Sequence, residues 1–108
     1  MVKQMIFKKK VDGVIEGVKY AEDGLIDWVR VYQRRDMVYT DVMVLPRSEL
    51  LEELERGKQY KTGRRVAYRG SSFETDLPVD LVKENGDTYI QAGAQRQPGD
   101  HLEGVPIF

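Results

Sequence analysis

With 108 residues, 17 lysines and arginines against 18 acids, and no cysteine, the chain has room for one domain and offers no global field to steer nucleic acid or anionic lipid. It cannot build a disulfide framework, a zinc knuckle or a thiol nucleophile, and a cysteine-free composition fits a reducing cytoplasmic setting better than a small secreted scaffold. Lysines close around the short apolar stretch near the start, which excludes a signal h-region or spanning helix there, so no membrane partner is expected.

Residues 4–11 read as a short edge strand, because Lys8, Lys9 and Lys10 charge its second half. Asp12 and Gly13 supply the small residues of a tight reversal, and residues 14–20 resume as the second strand of a hairpin. Glu22, Asp23 and Gly24 mark the next turn. Residues 25–33 are rich in β-branched and aromatic types and form the most secure strand. A turn across residues 33–36 leads to a fourth strand over residues 37–45, which completes a meander.

In the third of these strands Leu25, Val29 and Val31 fall on one face and Ile26, Trp28 and Tyr32 on the other. A sheet with one wet face alternates, so the loss of alternation predicts that both faces are covered by a helix, a closing barrel or another subunit. Ile26, Trp28 and Tyr32 are accordingly the candidate oligomer interface, and a homo-oligomer is expected. Trp28 suits an anchor, since it hides a large apolar area and its indole N–H needs one acceptor. Met37, Met43, Tyr39 and Tyr32 would line a small apolar pocket if the sheet stayed open.

The period then changes. Leu50, Leu51 and Leu54 share one helical face while Glu49, Glu52, Glu53 and Glu55 take the rest, which predicts the one helix over residues 47–56. Ser48 is placed to cap it, Glu49 suits the positive end of its dipole, and Gly57 falls at C′. Leu51 stands where a capping box would have an acid.

Short strands follow at residues 58–62 and 64–69 around Gly63, then a loop at residues 70–72. Pro78 limits any strand through residues 73–77, because proline donates nothing to a ladder. Residues 79–84 and 87–91 flank Asn85-Gly86, the strongest hairpin signal in the chain. Residues 92–108 show no periodicity. The domain organisation predicted is one β-rich unit over residues 1–92 with an irregular tail, residues 93–108, that either docks on it through Val105, Ile107 and Phe108 or stays partly mobile. The fold class is mainly β (α+β), an antiparallel meander curling into a small barrel-like or half-open sheet with one short helix.

Lys58, Lys61, Arg64, Arg65 and Arg69 lie in one stretch without an acid, interleaved with Tyr60 and Tyr68. Cations neutralise phosphates and aromatic faces accept unstacked bases, so the stretch points to single-stranded nucleic acid on a small β-barrel. Lys58, Tyr60 and Thr62 share a face at strand spacing. Against this, the acids at 74, 76, 80, 84 and 87 can neutralise the same surface. Glu74, Asp76 and Asp80 are hard oxygen ligands at short spacing and would suit the divalent cation of a small hydrolase or nuclease, although they match no EF-hand loop. His101 is the single histidine and lacks the partner ligands of a zinc site. No nucleophile elbow, Walker loop or dinucleotide fingerprint is present. The function expected is a non-enzymatic binding or assembly module that uses sheet surface, without cofactor or metal. A protein partner fits that reading, with nucleic-acid binding and metal-dependent hydrolysis as alternatives.

Overall fold

The computed structural model describes residues 11–35, 38–66, 73–94 and 98–108. The strand expected over residues 4–11, Met37, Tyr68, Arg69 and the loop at residues 70–72 fall wholly or largely outside them. In chain order the elements are β1 (Gly13–Tyr20), β2 (Ile26–Arg35), β3 (Val38–Tyr39), β4 (Met43–Pro46), α1 (Arg47–Glu55), β5 (Tyr60–Arg65), β6 (Phe73–Pro78), β7 (Asp80–Glu84), β8 (Asp87–Ala92) and β9 (His101–Leu102). The larger sheet runs β3-β2-β1-β5-β6 with β4 also paired to β2, and a second sheet runs β7-β8-β9. Among the described residues the fold is mainly β with one helix, and the sheet does not close into a barrel.

Two pairings depart from a pure antiparallel meander. The crossover through α1 returns the chain so that β5 lies parallel to β1, with Gly13 opposite Tyr60 and Ile15 opposite Thr62. The stretch expected to be an irregular tail contributes β9, parallel to β8. The predicted fourth strand is two pieces, because Thr40 turns back on Gln33: its N–H donates to the Gln33 carbonyl at 2.8 Å, and its hydroxyl accepts from the Gln33 N–H at 3.0 Å.

Two bulges set which residues face the core. In β1 the pairs run Ile15 to Val31, then Gly17 to Arg30, so Glu16 is an extra residue, and Ile15 and Val18 point the same way despite opposite parity. In β2 the pairs run Trp28 to Lys19, then Ile26 to Tyr20, so Asp27 is extra and Ile26 turns inward to join Val29 and Val31. Leu45, Leu50, Tyr60, Val79, Ile90 and Leu102 complete the main cluster from both sheets and the helix.

The helix begins two residues earlier than Ser48 capping would allow. Pro46 is the N-cap, in extended conformation with φ −68°, and makes no side-chain cap bond. Proline fixes φ where the helix starts and frees the next residue, Arg47, to open the first turn. The other end follows expectation: the Lys58 N–H reaches the Glu53 carbonyl at 3.0 Å and the Gly57 N–H reaches Leu54 at 3.1 Å, a Schellman closure. Asn85 and Gly86 both take left-handed backbone, φ 54° and 85°, which gives the two-residue type I′ turn joining β7 to β8. Gly13, by contrast, makes no reversal. It lies inside the ladder of β1, between Gln33 and Tyr60.

One carboxylate ties these parts together. The Asp100 side chain is fully buried. Its Oδ2 accepts from the Ile26 N–H at 2.8 Å and from Arg47 Nε at 2.7 Å, and its Oδ1 accepts from the Ile90 N–H at 2.9 Å and from Arg47 Nη2 at 3.2 Å. Arg47 Nη2 also donates to the Thr88 carbonyl at 2.8 Å. The guanidinium's own pKa is raised, chiefly by the bond to Asp100. Asp100→Ala leaves two buried N–H groups and a half-buried guanidinium without their acceptor, and we expect it to lower unfolding free energy by about 3–5 kcal/mol. In urea melts, the double variant Asp100→Leu with Arg47→Met should recover part of that loss. A single-variant loss near the small values of exposed sites would remove the joining role.

Candidate functional site

The basic stretch after α1 divides between core and surface. Lys58 is exposed and Lys61 half-buried, but Tyr60 is 2% exposed and Thr62 is buried beside it. The face that Lys58, Tyr60 and Thr62 were expected to present to bases is therefore the inner face of the sheet, and Tyr60 leaves the candidate surface. The cause is the parallel pairing with β1. Gly13 has no side chain opposite Tyr60, a Cβ there would overlap the ring, and the tyrosine fills that space. Its hydroxyl accepts from Gln33 Nε2 at 3.0 Å and donates to Glu53 Oε1 at 3.2 Å. Burial pushes the phenol up to about 12. The Thr62 hydroxyl accepts from the Leu77 N–H at 3.0 Å, which serves the ladder and not a ligand.

The two arginines of β5 differ. Arg64 is exposed and holds Glu74 Oε1 with both Nε and Nη2 at 2.8 Å, the neutralisation that the acidic segment foreshadowed. Arg65 is exposed and lies with Tyr32, Tyr39 and Phe73. Tyr68 and Arg69 lie outside the described residues. Glu74, Asp76 and Asp80 are exposed, and among the described residues no three metal-ligating side chains gather into a cation site. His101 is half-buried in β9 opposite Gln91.

The expected interface residues also separate. Ile26 is drawn into the core by the bulge at Asp27. Tyr32 is 8% exposed, its ring edge-on to Phe73 at 5.0 Å, while Phe73 also meets Tyr39 at 4.5 Å. Those rings fill the space where an apolar pocket was expected, and about 40 Å³ remains beside them. Burial raises the Tyr32 phenol, with Glu16 acting in the same direction. Only Trp28 stays partly open.

Around Trp28 is a shallow hollow of about 330 Å³ that also takes in Val42, Met43, Val44 and Phe108. Val44 is 57% exposed and Phe108 52%. The Phe108 ring sits 5.8 Å from Trp28, under the Arg30 guanidinium at 5.1 Å, and Arg30 pairs with Glu16 at 3.4 Å. A Cβ at Gly17 would overlap Phe108, so the missing side chain in β1 makes the seat for this ring. A glycine inside a strand signals such a close approach, so Gly17 is the signal in the sequence that could have found this seat, which the sequence reading passed over.

The docking of Phe108 is part of a fork in the sheet. β5 accompanies β1 only from Gly13 to Ile15. Further along the same edge Val18 donates to the Pro106 carbonyl at 3.0 Å and accepts from the Phe108 N–H at 2.8 Å, so residues 106–108 replace β5 as the neighbour of β1. Between the diverging segments opens a groove of about 860 Å³, lined by Glu16 of β1, by Arg64, Glu74 and Asp76 of β5 and β6, and by Val105 and Phe108.

Comparison with known proteins finds no matching family model, no matching curated protein and no matching solved structure. Among the described residues no helix is long and apolar enough to cross a membrane.

The raised Tyr60 phenol has a measurable consequence. Unfolded, the group releases its proton near 10; folded, near 12. Below the lower value both states are protonated and the contribution is complete. As pH rises through the window the unfolded state alone ionises, and stability falls by roughly 2–3 kcal/mol. Tyr60→Phe should make the alkaline arm of a urea-midpoint profile shallower by that share. Equal slopes in both proteins would show that Tyr60 is not held in its neutral form by the core.

Proposed function

We propose that this chain is a binding and assembly module, not a catalyst, and that it pairs with a second copy through the face of β2 and β4 centred on Trp28. The observation that carries the reading is the contiguous apolar hollow of Trp28, Val42, Met43, Val44 and Phe108, in which Val44 is 57% and Phe108 52% exposed. Exposed apolar area rimmed by charge marks an interaction surface more often than a random surface does. The rim carries Arg30, whose charge is already met by Glu16 within the chain, so closing the hollow against a second copy strands no unpaired cation. A buried aromatic anchor surrounded by aliphatic groups is also the common pattern of an energetic centre at an interface.

Trp28→Glu and Val44→Asp place a charge in the proposed contact without touching the core cluster. Each should weaken self-association by about a hundredfold or more, read by sedimentation over a wide concentration range, with an unchanged circular dichroism spectrum. A wild-type chain that stays monomeric at the highest concentrations would reject the assembly.

A second reading, single-stranded nucleic acid, is favoured by one observation: exposed Arg65 lies against the aromatic group of Tyr32, Tyr39 and Phe73. In that reading Lys58, Lys61 and Arg65, with Arg69 and Tyr68, track the backbone. Replacing Lys58 and Arg65 by alanine should reduce the slope of log affinity against log salt by about one to two on an oligothymidine probe. Absence of salt-sensitive binding would end this reading and leave the assembly reading standing.

A further inference from the structure

We propose that the fork between β5 and residues 104–108 is a binding site for an extended, basic segment of another protein, taken up as an added strand. The groove is bounded by strand edges on both sides, and this distinguishes it from an ordinary surface hollow. On one side β5 leaves β1 after Thr62, so among the described residues Gly63 and Arg64 have only β6 as a strand partner. On the other, the Pro106 carbonyl and the Phe108 N–H both turn toward Val18. By the alternation of an extended chain, the Ile107 N–H and carbonyl then turn away from β1 and toward the groove. Backbone groups on such edges supply affinity to an incoming strand without regard to its sequence.

Side chains supply the selection. The border carries Glu16, Glu74 and Asp76 against Arg64. Arg64 is engaged by Glu74 and Glu16 by Arg30, whereas Asp76 has no ion-pair partner among the described residues. The uncompensated charge is therefore the Asp76 carboxylate, and the open apolar part of the border is Phe108, since Val105 belongs to the core. An extended segment alternating basic and β-branched residues meets both: a cation faces Asp76, and its apolar side chains face the Phe108 ring. Glu16 occupies this position because it is the extra residue of the β1 bulge. The bulge and the fork therefore build the site together. The volume of about 860 Å³ lies in the range of pockets that hold sizeable ligands.

The test uses the full chain and three capped, fluorescently labelled pentapeptides read by anisotropy: Lys-Val-Lys-Val-Lys, the same peptide with its valine amides N-methylated, and Glu-Val-Glu-Val-Glu. The first should bind. N-methylation should weaken binding by about tenfold or more, because it removes the strand hydrogen bonds. The acidic peptide should not bind measurably. Asp76→Asn, a substitution at an exposed position, should weaken the basic peptide by about three- to tenfold and reduce its salt dependence. Amide chemical-shift changes should centre on Gly63–Arg65 and Val105–Ile107. Equal affinity for the N-methylated peptide, or shifts centred on Trp28 and Val44, would overturn the proposal. Val44→Asp, at an exposed position that lines the Trp28 hollow and not the groove, should leave peptide binding intact, so failure of self-association and failure of the groove are told apart in one set of proteins.

Discussion

A fully buried carboxylate is tolerable only when donors replace the water it gives up, and Asp100 collects four of them from three separate elements. The two backbone donors sit where the ladders fail. The Ile26 N–H lies at the bulge where β2 breaks register with β1, and the Ile90 N–H lies just before the first β8–β9 pair, Gln91 with His101. Asp100 thus satisfies groups that sheet pairing leaves orphaned, while Arg47 neutralises it from the first turn of α1. Apolar contacts could hold the two sheets together, but they are non-directional. The carboxylate fixes which residue of one sheet faces which residue of the other.

The bulges govern the same question within the larger sheet. Apolar residues at both parities in the strand that became β2 were expected to mean that both faces are covered, and for Tyr32, buried yet outside the main core cluster, that inference stands; Val14 of β1 is buried in the same way. For Ile15 with Val18, and for Ile26 with Val29, the cause is different. Each pair spans an extra residue, so the phase of the strand slips and opposite parities reach one face. Period-2 reading has no way to see such a slip, since the inserted Glu16 and Asp27 are ordinary residues for an exposed strand position. Ile26 was therefore assigned to an outward face that it does not occupy.

Local signals read well where the chemistry is local. Gly57 closes α1, and Asn85-Gly86 turns β7 into β8, because both depend on φ values that a few residue types adopt readily. The helix face carrying Leu50 was legible from its spacing, and its deep burial follows. Tyr60 was misplaced because strand alternation states which residues share a face but not which face is inside. That choice is made by the parallel contact with Gly13, 47 positions away in the chain when counted from Tyr60 to Gly13. The segment after residue 92 was the least legible. Its order comes from Asp100 and from hydrogen bonds to Val18, neither of which leaves a periodic trace.

That last segment determines what surfaces the molecule can offer. Within nine residues it places Asp100 between the sheets, extends the smaller sheet as β9, and lies along β1 at Val18 where β5 has departed. Phe108 then forms a wall of both the Trp28 hollow and the forked groove. Its ring remains 52% exposed although it is held by Trp28, by the Arg30 guanidinium and by the space over Gly17. These contacts fix its orientation while covering about half of its area, so the uncovered half is presented as a rigid apolar surface and costs little further ordering when something is laid on it. An aromatic ring pinned in this manner is better suited to recognition than a free one. The surfaces around Phe108 thus follow from the constraint that joins the two sheets, since Asp100 anchors the start of a segment that then reaches β1 through Leu102, Val105 and the bonds to Val18.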